Sequence, residues 1–271
     1  MIIPSTVAVA QLSESQYSLV YNLFSLVFAT MAFTALYLIL SRSTVSFAYR
    51  NAITVSAMVC GIAAYHYLRI FENFRDSYPA GSTTSSPHLL SAVKFSEGYR
   101  YVDWLLTVPL LLFETVAVLA LAKAVQKRLL YKLVPAATAM IILGYPGEIA
   151  SSKGLRVVWG LLSTIPFLYV VYVLFTELSV AMKSQPADVR HTMAMLRWMI
   201  LGLWGVYPIA YLFPVFGGSF FGGAGGFVLR QAGYSIADIL AKAAFGLVIF
   251  KIAKMKSAHD KALTEPLGDP R

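Results

Sequence analysis

Between Tyr234 and Phe250 the chain is apolar for the length of a membrane helix, yet this run carries Asp238 and Lys242 in its interior. A lysine at the centre of a bilayer helix costs about 2.5–3.5 kcal/mol on insertion scales, so such a residue faces a bundle interior and finds a partner. Asp238 precedes Lys242 by four residues, which puts both on one helix face, a turn apart. The helix alone leaves two readings open. One is a structural ion pair inside a helix bundle. The other is a lysine that carries a cofactor as a Schiff base, with Asp238 in its counter-charge.

The rest of the chain supplies the bundle. Of 271 residues, 58% are hydrophobic and 13% charged, against about 25% charged in an ordinary soluble domain. This balance predicts an all-α, polytopic membrane protein, and the length allows about seven spans of roughly 20 residues. The spans are expected near 16–40, 52–71, 95–122, 133–143, 155–175 and 193–213, with a seventh ending near 251. Gly144-Tyr-Pro-Gly147 is expected to end the fourth, because Gly and Pro break helices. Arg75–Pro87 reads as an aqueous loop. The glycine-rich run Gly217–Gly226 reads as a flexible connector, since it lacks the Lys-Ser/Thr of a phosphate loop. The whole of 1–271 is read as one domain: an outer N-terminus over 1–15, a bundle over about 16–253 and a polar, mobile tail over 254–271.

Cys60 is the sole cysteine, which excludes a disulfide within the chain and a multi-cysteine metal site; no metal is expected. The N-terminus shows neither a positive region nor a cleavage site, so no secretory signal is expected. A net charge of +9 would suit nucleic acid, but the basic residues sit between apolar runs. They fall on alternate connections: Arg42 and Arg50; Lys123, Lys127, Arg128 and Lys132; Lys183 and Arg190; and the tail. The positive-inside rule makes these cytoplasmic and the N-terminus external. The third and seventh helices then both run from outside to inside.

The third span holds Arg100-Tyr-Val-Asp103-Trp-Leu-Leu-Thr107-Val-Pro-Leu-Leu-Leu-Phe-Glu114. At about 100° per residue, Glu114 lies about 20° from Asp103 and about 16 Å further along the axis, and Thr107 lies about 40° from Asp103. Arg100 is nearly a turn before Asp103 on the same side. Two carboxyls stacked on one face suit the stations of a proton pathway. The plainer reading pairs Asp103 with Arg100 and leaves Glu114 capping a water pocket.

The Arg100–Leu110 stretch resembles the third helix of microbial rhodopsins, and Asp238 with Lys242 resembles that family's counter-ion and retinal lysine. Trp204-Gly-Val-Tyr207-Pro208 with Tyr211 is similar to the aromatic motif that sandwiches retinal. Tyr65-His-Tyr-Leu-Arg-Ile-Phe71, Gly144-Tyr-Pro-Gly-Glu148 and Trp159-Gly-Leu-Leu-Ser-Thr-Ile-Pro166 point to the xanthorhodopsin and proteorhodopsin branch. The resemblance spans all seven helices.

It implies a seven-helix bundle in a bacterial inner membrane, with all-trans retinal covalently held at Lys242. It implies a light-driven ion transporter rather than an enzyme, with proton, lipid bilayer and further copies of itself (a pentamer or trimer) as partners and no nucleic acid. Asp103 would be the proton acceptor and counter-ion with Asp238, Glu114 the donor, Arg100 an exit-side cation and Thr107 a hydrogen-bond partner of Asp103. A donor must start protonated, and burial among apolar side chains favours the neutral carboxyl. Chloride and sodium pumps replace one or both carboxyls, so outward proton pumping leads; a photosensor signalling to a partner protein is the alternative. His66 would pair with Asp103 and tune it. Trp104, Leu111, Ser163, Thr164, Trp204, Tyr207, Pro208 and Tyr211 would wall the retinal pocket, with apolar Leu111 resembling the green-absorbing type. Gly160, where many relatives carry a bulky aromatic, would leave a gap for a carotenoid antenna. Glu97 and Glu148 are read as solvated loop acids in preference to proton-release groups.

Overall fold

The computed structural model describes residues 11–79 and 88–264. Seven long helices dominate: α1 Glu14–Ser41, α2 Arg50–Ser77, α3 Gly98–Ala117, α4 Lys123–Glu148, α5 Lys153–Phe175, α6 Ala187–Tyr211, and α7, which runs Gly223–Asp238, through a π-helical turn Ile239–Ala244, into Phe245–Thr264. Each packs on its neighbour in sequence, α7 closes the ring against α1, and α7 also packs on α2.

Local chemistry sets the helix starts. Ser13 caps α1 reciprocally: its hydroxyl accepts from Gln16 N (3.3 Å) while Gln16 Oε1 accepts from Ser13 N (3.0 Å). Ser152 caps α5 by accepting from Leu155 N at 3.2 Å. Burial then sorts the faces. On α2 the residues Ser56, Cys60, Ala63, Tyr67, Ile70 and Phe74 turn inward at helical spacing. On α5 the residues Leu155, Val158, Leu161, Ile165, Leu168 and Tyr172 are exposed, a surface that a bilayer rather than water would solvate. Five of the described helices are long and apolar enough to span by length and composition alone. Helix α3 is not among them because it carries Arg100, Asp103 and Glu114, and α7 is interrupted by its π-helical turn.

Three expectations are corrected. First, α4 spans Lys123–Glu148 with Pro135 and Pro146 inside it: it takes in the basic Lys123–Lys132 segment expected as a connection, and it runs through Gly144–Gly147 to stop at Glu148. In a membrane a broken helix strands backbone groups without water, and prolines are tolerated within spans. Gly147 answers a packing need instead: a Cβ there would meet the Tyr211 hydroxyl at 1.8 Å. Second, the tail is helical as far as Thr264. It is strapped down by Ser46 N donating to Ser257 Oγ (2.8 Å), Tyr49 Oη donating to Asp260 Oδ2 (2.7 Å) and His259 against Asp188 (3.0 Å). Third, the glycine run follows a short helical turn Phe213–Phe216, is itself partly ordered into the turn Gly218–Phe221, and α7 begins inside it. Gly217 and Gly223 adopt φ of +63° and +59°, which side chains rarely tolerate. Only the first part of the Arg75–Pro87 loop lies within the described residues. There, Gln11–Leu12 pairs antiparallel with His88–Leu89 and ties the start of the chain to the α2–α3 connection.

Candidate functional site

Helices α3 and α7 meet at Lys242, which sits in the π-helical turn and is 1% exposed. Such turns recur at functional sites. Its Nζ donates to Asp103 Oδ2 and lies 3.0 Å from Asp238 Oδ1. Both carboxylates are fully buried, so the ammonium has two anions in reach, and a buried charge is tolerable only when paired in this way.

The two carboxylates are held differently. Asp238 accepts from Tyr67 Oη (2.6 Å) on α2, Tyr207 Oη (2.6 Å) on α6 and Trp104 Nε1 (3.3 Å) on α3, and Arg100 Nη1 lies 3.8 Å away. Asp103 has Lys242 on one oxygen, and its Oδ1 has no hydrogen-bond partner among the described residues. Asp238 is therefore locked as an anion by a ring of donors, while Asp103 has room to change state.

Glu114 faces the same interior further along α3 and is fully buried. Neither of its carboxyl oxygens has a partner among the described residues. Ser56 faces it from α2 but donates its own hydroxyl to Ala52 O at 3.2 Å. An ionised carboxylate in such a place would be very costly, so the neutral acid is the species this environment accepts.

Beside Lys242 lies a cavity of about 800 Å³, open space at its mouth included, lined from α3, α4, α5, α6 and α7. Its walls include Trp104, Leu111, Gly160, Ser163, Thr164, Trp204, Tyr207, Pro208 and Tyr211 together with Lys242. Tyr101, Gly144 and Tyr234, none of them expected as walls, also line it. Such a mostly apolar, aromatic slot with a few convergent polar groups is the usual form of a cofactor site.

Residues 19–255 match the family model described as bacteriorhodopsin-like protein. The chain belongs to this family, the type 1 microbial rhodopsins. It is 30% identical over 242 residues to the green-light absorbing proteorhodopsin of Gamma-proteobacterium EBAC31A08, covering 87% of each chain. Among solved structures, a thermophilic rhodopsin superposes with a TM-score of 0.88 at 40% identity, covering 93% of this chain and 99% of that one. Xanthorhodopsin, described as a light-driven ion pump with dual chromophore, superposes with a TM-score of 0.87 at 42% identity, covering 94% and 99%. Members are multi-pass membrane proteins, and membership implies retinal bound to a lysine. The slot fits that group: one lysine opens into it, two carboxylates balance the lysine, and the walls are aromatic.

Four side chains of this rhodopsin sit differently from expectation. No bond joins His66 to Asp103; His66 Nδ1 and Asp103 Oδ1 both lack hydrogen-bond partners among the described residues, and the His66 ring packs edge-on to Tyr65 at 5.2 Å. The Thr107 hydroxyl donates to the main-chain oxygen of Asp103 (2.8 Å), the intrahelical bond open to any threonine, rather than to its carboxylate. Glu97 and Glu148 are not solvated acids: they are 3% and 0% exposed, each set against arginines. Reading the sequence also missed Tyr67, Gln231, Arg156 and Arg230. The available signal was an arginine inside an apolar helix, which requires a buried partner.

Proposed function

We propose that this rhodopsin is a light-driven outward proton pump with retinal on Lys242. The contrast between the two carboxyls of α3 carries the reading: Asp103 is paired with Lys242, and Glu114 is buried with no cation paired to it among the described residues. Retinal joined to Lys242 supplies light absorption and a change of shape about its double bonds. The remaining steps belong to the chain. Asp103 Oδ2, bonded to Lys242 Nζ, takes the proton of that nitrogen. Asp238 is kept from competing by its three hydrogen-bond donors. Glu114, about 16 Å along the axis on the other side, returns a proton to the lysine nitrogen and is refilled from the cytoplasm. With α3 running from outside to inside, each turnover moves one proton outward. Against 100 mV this costs about 2.3 kcal/mol.

Gly160 supports a second element of the reading, a carotenoid antenna. It lines the slot, and a Cβ there would approach Tyr211 Cε1 to 2.9 Å. Gly160 is itself partly exposed, and the Tyr211 ring occupies the space that a side chain there would take. Titration of a carotenoid into the purified protein should add an excitation band that Gly160→Trp removes; no band with hydroxylated or keto-carotenoids would refute it. The pump itself is tested in cells expressing the protein with retinal in unbuffered salt. Light should acidify the medium, and a protonophore should abolish the change. Coloured cells that leave the medium flat while the pigment bleaches and recovers would favour the photosensor.

A further inference from the structure

On the side of Asp103 away from Glu114 lies a buried charge cluster that the proposed cycle does not use. Glu97 Oε2 accepts from Arg100 Nε (3.2 Å), and its Oε1 accepts from Gln231 Nε2 (2.5 Å) and faces Arg230 Nη2 (3.4 Å). Arg230 Nη1 continues to Glu148 Oε1 (3.4 Å), which Arg156 Nη1 also meets at 3.4 Å. Arg100, Arg156 and Arg230 are each 2% exposed or less.

Arginine does not give up its charge in a protein, so Arg100 influences the site through where its charge sits. Three contacts fix it: Nη1 donates to Tyr67 Oη (2.7 Å), Nη2 to Gln231 Oε1 (2.8 Å), and Nε to Glu97. Tyr67 passes the connection to Asp238. Two anions lie beside Arg100: Glu97, hydrogen-bonded to it, and Asp238, 3.8 Å away; Glu97 also offsets Arg230. In a buried site its charge is poorly screened.

We propose that Glu97 is a positioning residue for proton release: by holding Arg100 and offsetting the two arginines, it sets how firmly Asp103 keeps its proton. The inference rests on Lys242 being the retinal lysine. The groups facing Glu97 are Arg100 from its own side and Gln231 and Arg230 from α7. Those around Asp103 are Lys242 and Asp238 from α7 and Arg100 on α3, with Tyr67 and Cys60 from α2 and Tyr207 from α6 nearby, and His66 on α2 faces Lys242.

The test is a pH titration of visible absorption on the purified, retinal-loaded full chain, since colour follows the charge on Asp103 beside the chromophore nitrogen. Glu97→Gln removes an anion, leaves excess positive charge near Asp103 and should lower the titration midpoint by about one pH unit, a tenfold change in proton affinity. Arg230→Gln removes a cation and should raise it. Glu97→Asp keeps the charge and should stay near the parent. An unmoved midpoint in Glu97→Gln, or shifts of the same sign in Glu97→Gln and Arg230→Gln, overturns the inference. If Glu97→Gln yields no pigment, Arg230→Gln decides alone, and an unmoved midpoint there overturns it. Titration needs bound retinal but no transport, so a coloured protein that titrates as described without pumping contradicts the pump reading only.

Discussion

The two ends of the inward face of α3 are built on opposite plans. Around Asp103 nearly every polar atom is engaged: Lys242 with two carboxylates, Asp238 with three hydrogen-bond donors, Arg100 with Tyr67, Gln231 and Glu97. Around Glu114 the carboxyl has no ion pair and no geometric hydrogen bond among the described residues, with Ser56 facing it. The dense end fixes charges in place, and changing one of them alters the energy of all the others. The sparse end keeps an acid neutral until something draws its proton off. In the proposed pump this difference supplies an accepting end at Asp103 and a supplying end at Glu114.

The comparison can be broken at either end. Lys242→Met should give the largest effect: no visible pigment at any retinal concentration, read by absorption of the purified protein. Asp103→Asn should leave a coloured protein whose light-driven proton transport falls by at least about 100-fold, the scale of losing a positioned proton acceptor. Glu114→Gln should spare the first proton transfer and slow the recovery of the pigment by about 100-fold. That recovery should become slower still as pH rises, because the missing proton must then come from bulk water; flash photolysis across pH measures both. Smaller effects compare hydrogen bonds at the two ends. Tyr67→Phe removes a donor from the Asp238 anion and should cost about 1.5–3 kcal/mol in unfolding, whereas Ser56→Ala near Glu114 should cost about 1 kcal/mol or less.

Much of this arrangement was legible because it is local in sequence. Asp238 and Lys242 are four apart, and Asp103 and Glu114 eleven apart, so helical geometry places each pair on a face before any fold is known. The aromatic walls were reachable through the resemblance and lie where it puts them, around one slot. What was illegible depends on distant partners. Arg230 meets Glu97 from 133 residues away, and no periodicity announces that contact. Glu97 and Glu148 looked like loop acids because they stand at helix ends beside Gly and Pro; burial came from the arginines that close over them. The end of α4 was misplaced for a related reason. The rule that Gly and Pro stop helices belongs to segments in water, and Gly147 serves the Tyr211 ring instead. His66 shows the limit of a borrowed role: the residue is present, and its bond to Asp103 is not.

Light-induced infrared difference spectroscopy in the carbonyl-stretch region tests the opposition of the two carboxyls most directly. The account predicts two signals in sequence. A protonated carboxyl appears first and is abolished by Asp103→Asn. A protonated carboxyl present in the dark then disappears, and this loss is abolished by Glu114→Gln. A dark state in which Glu114 is already ionised, or a first proton arriving on a group other than Asp103, would contradict it.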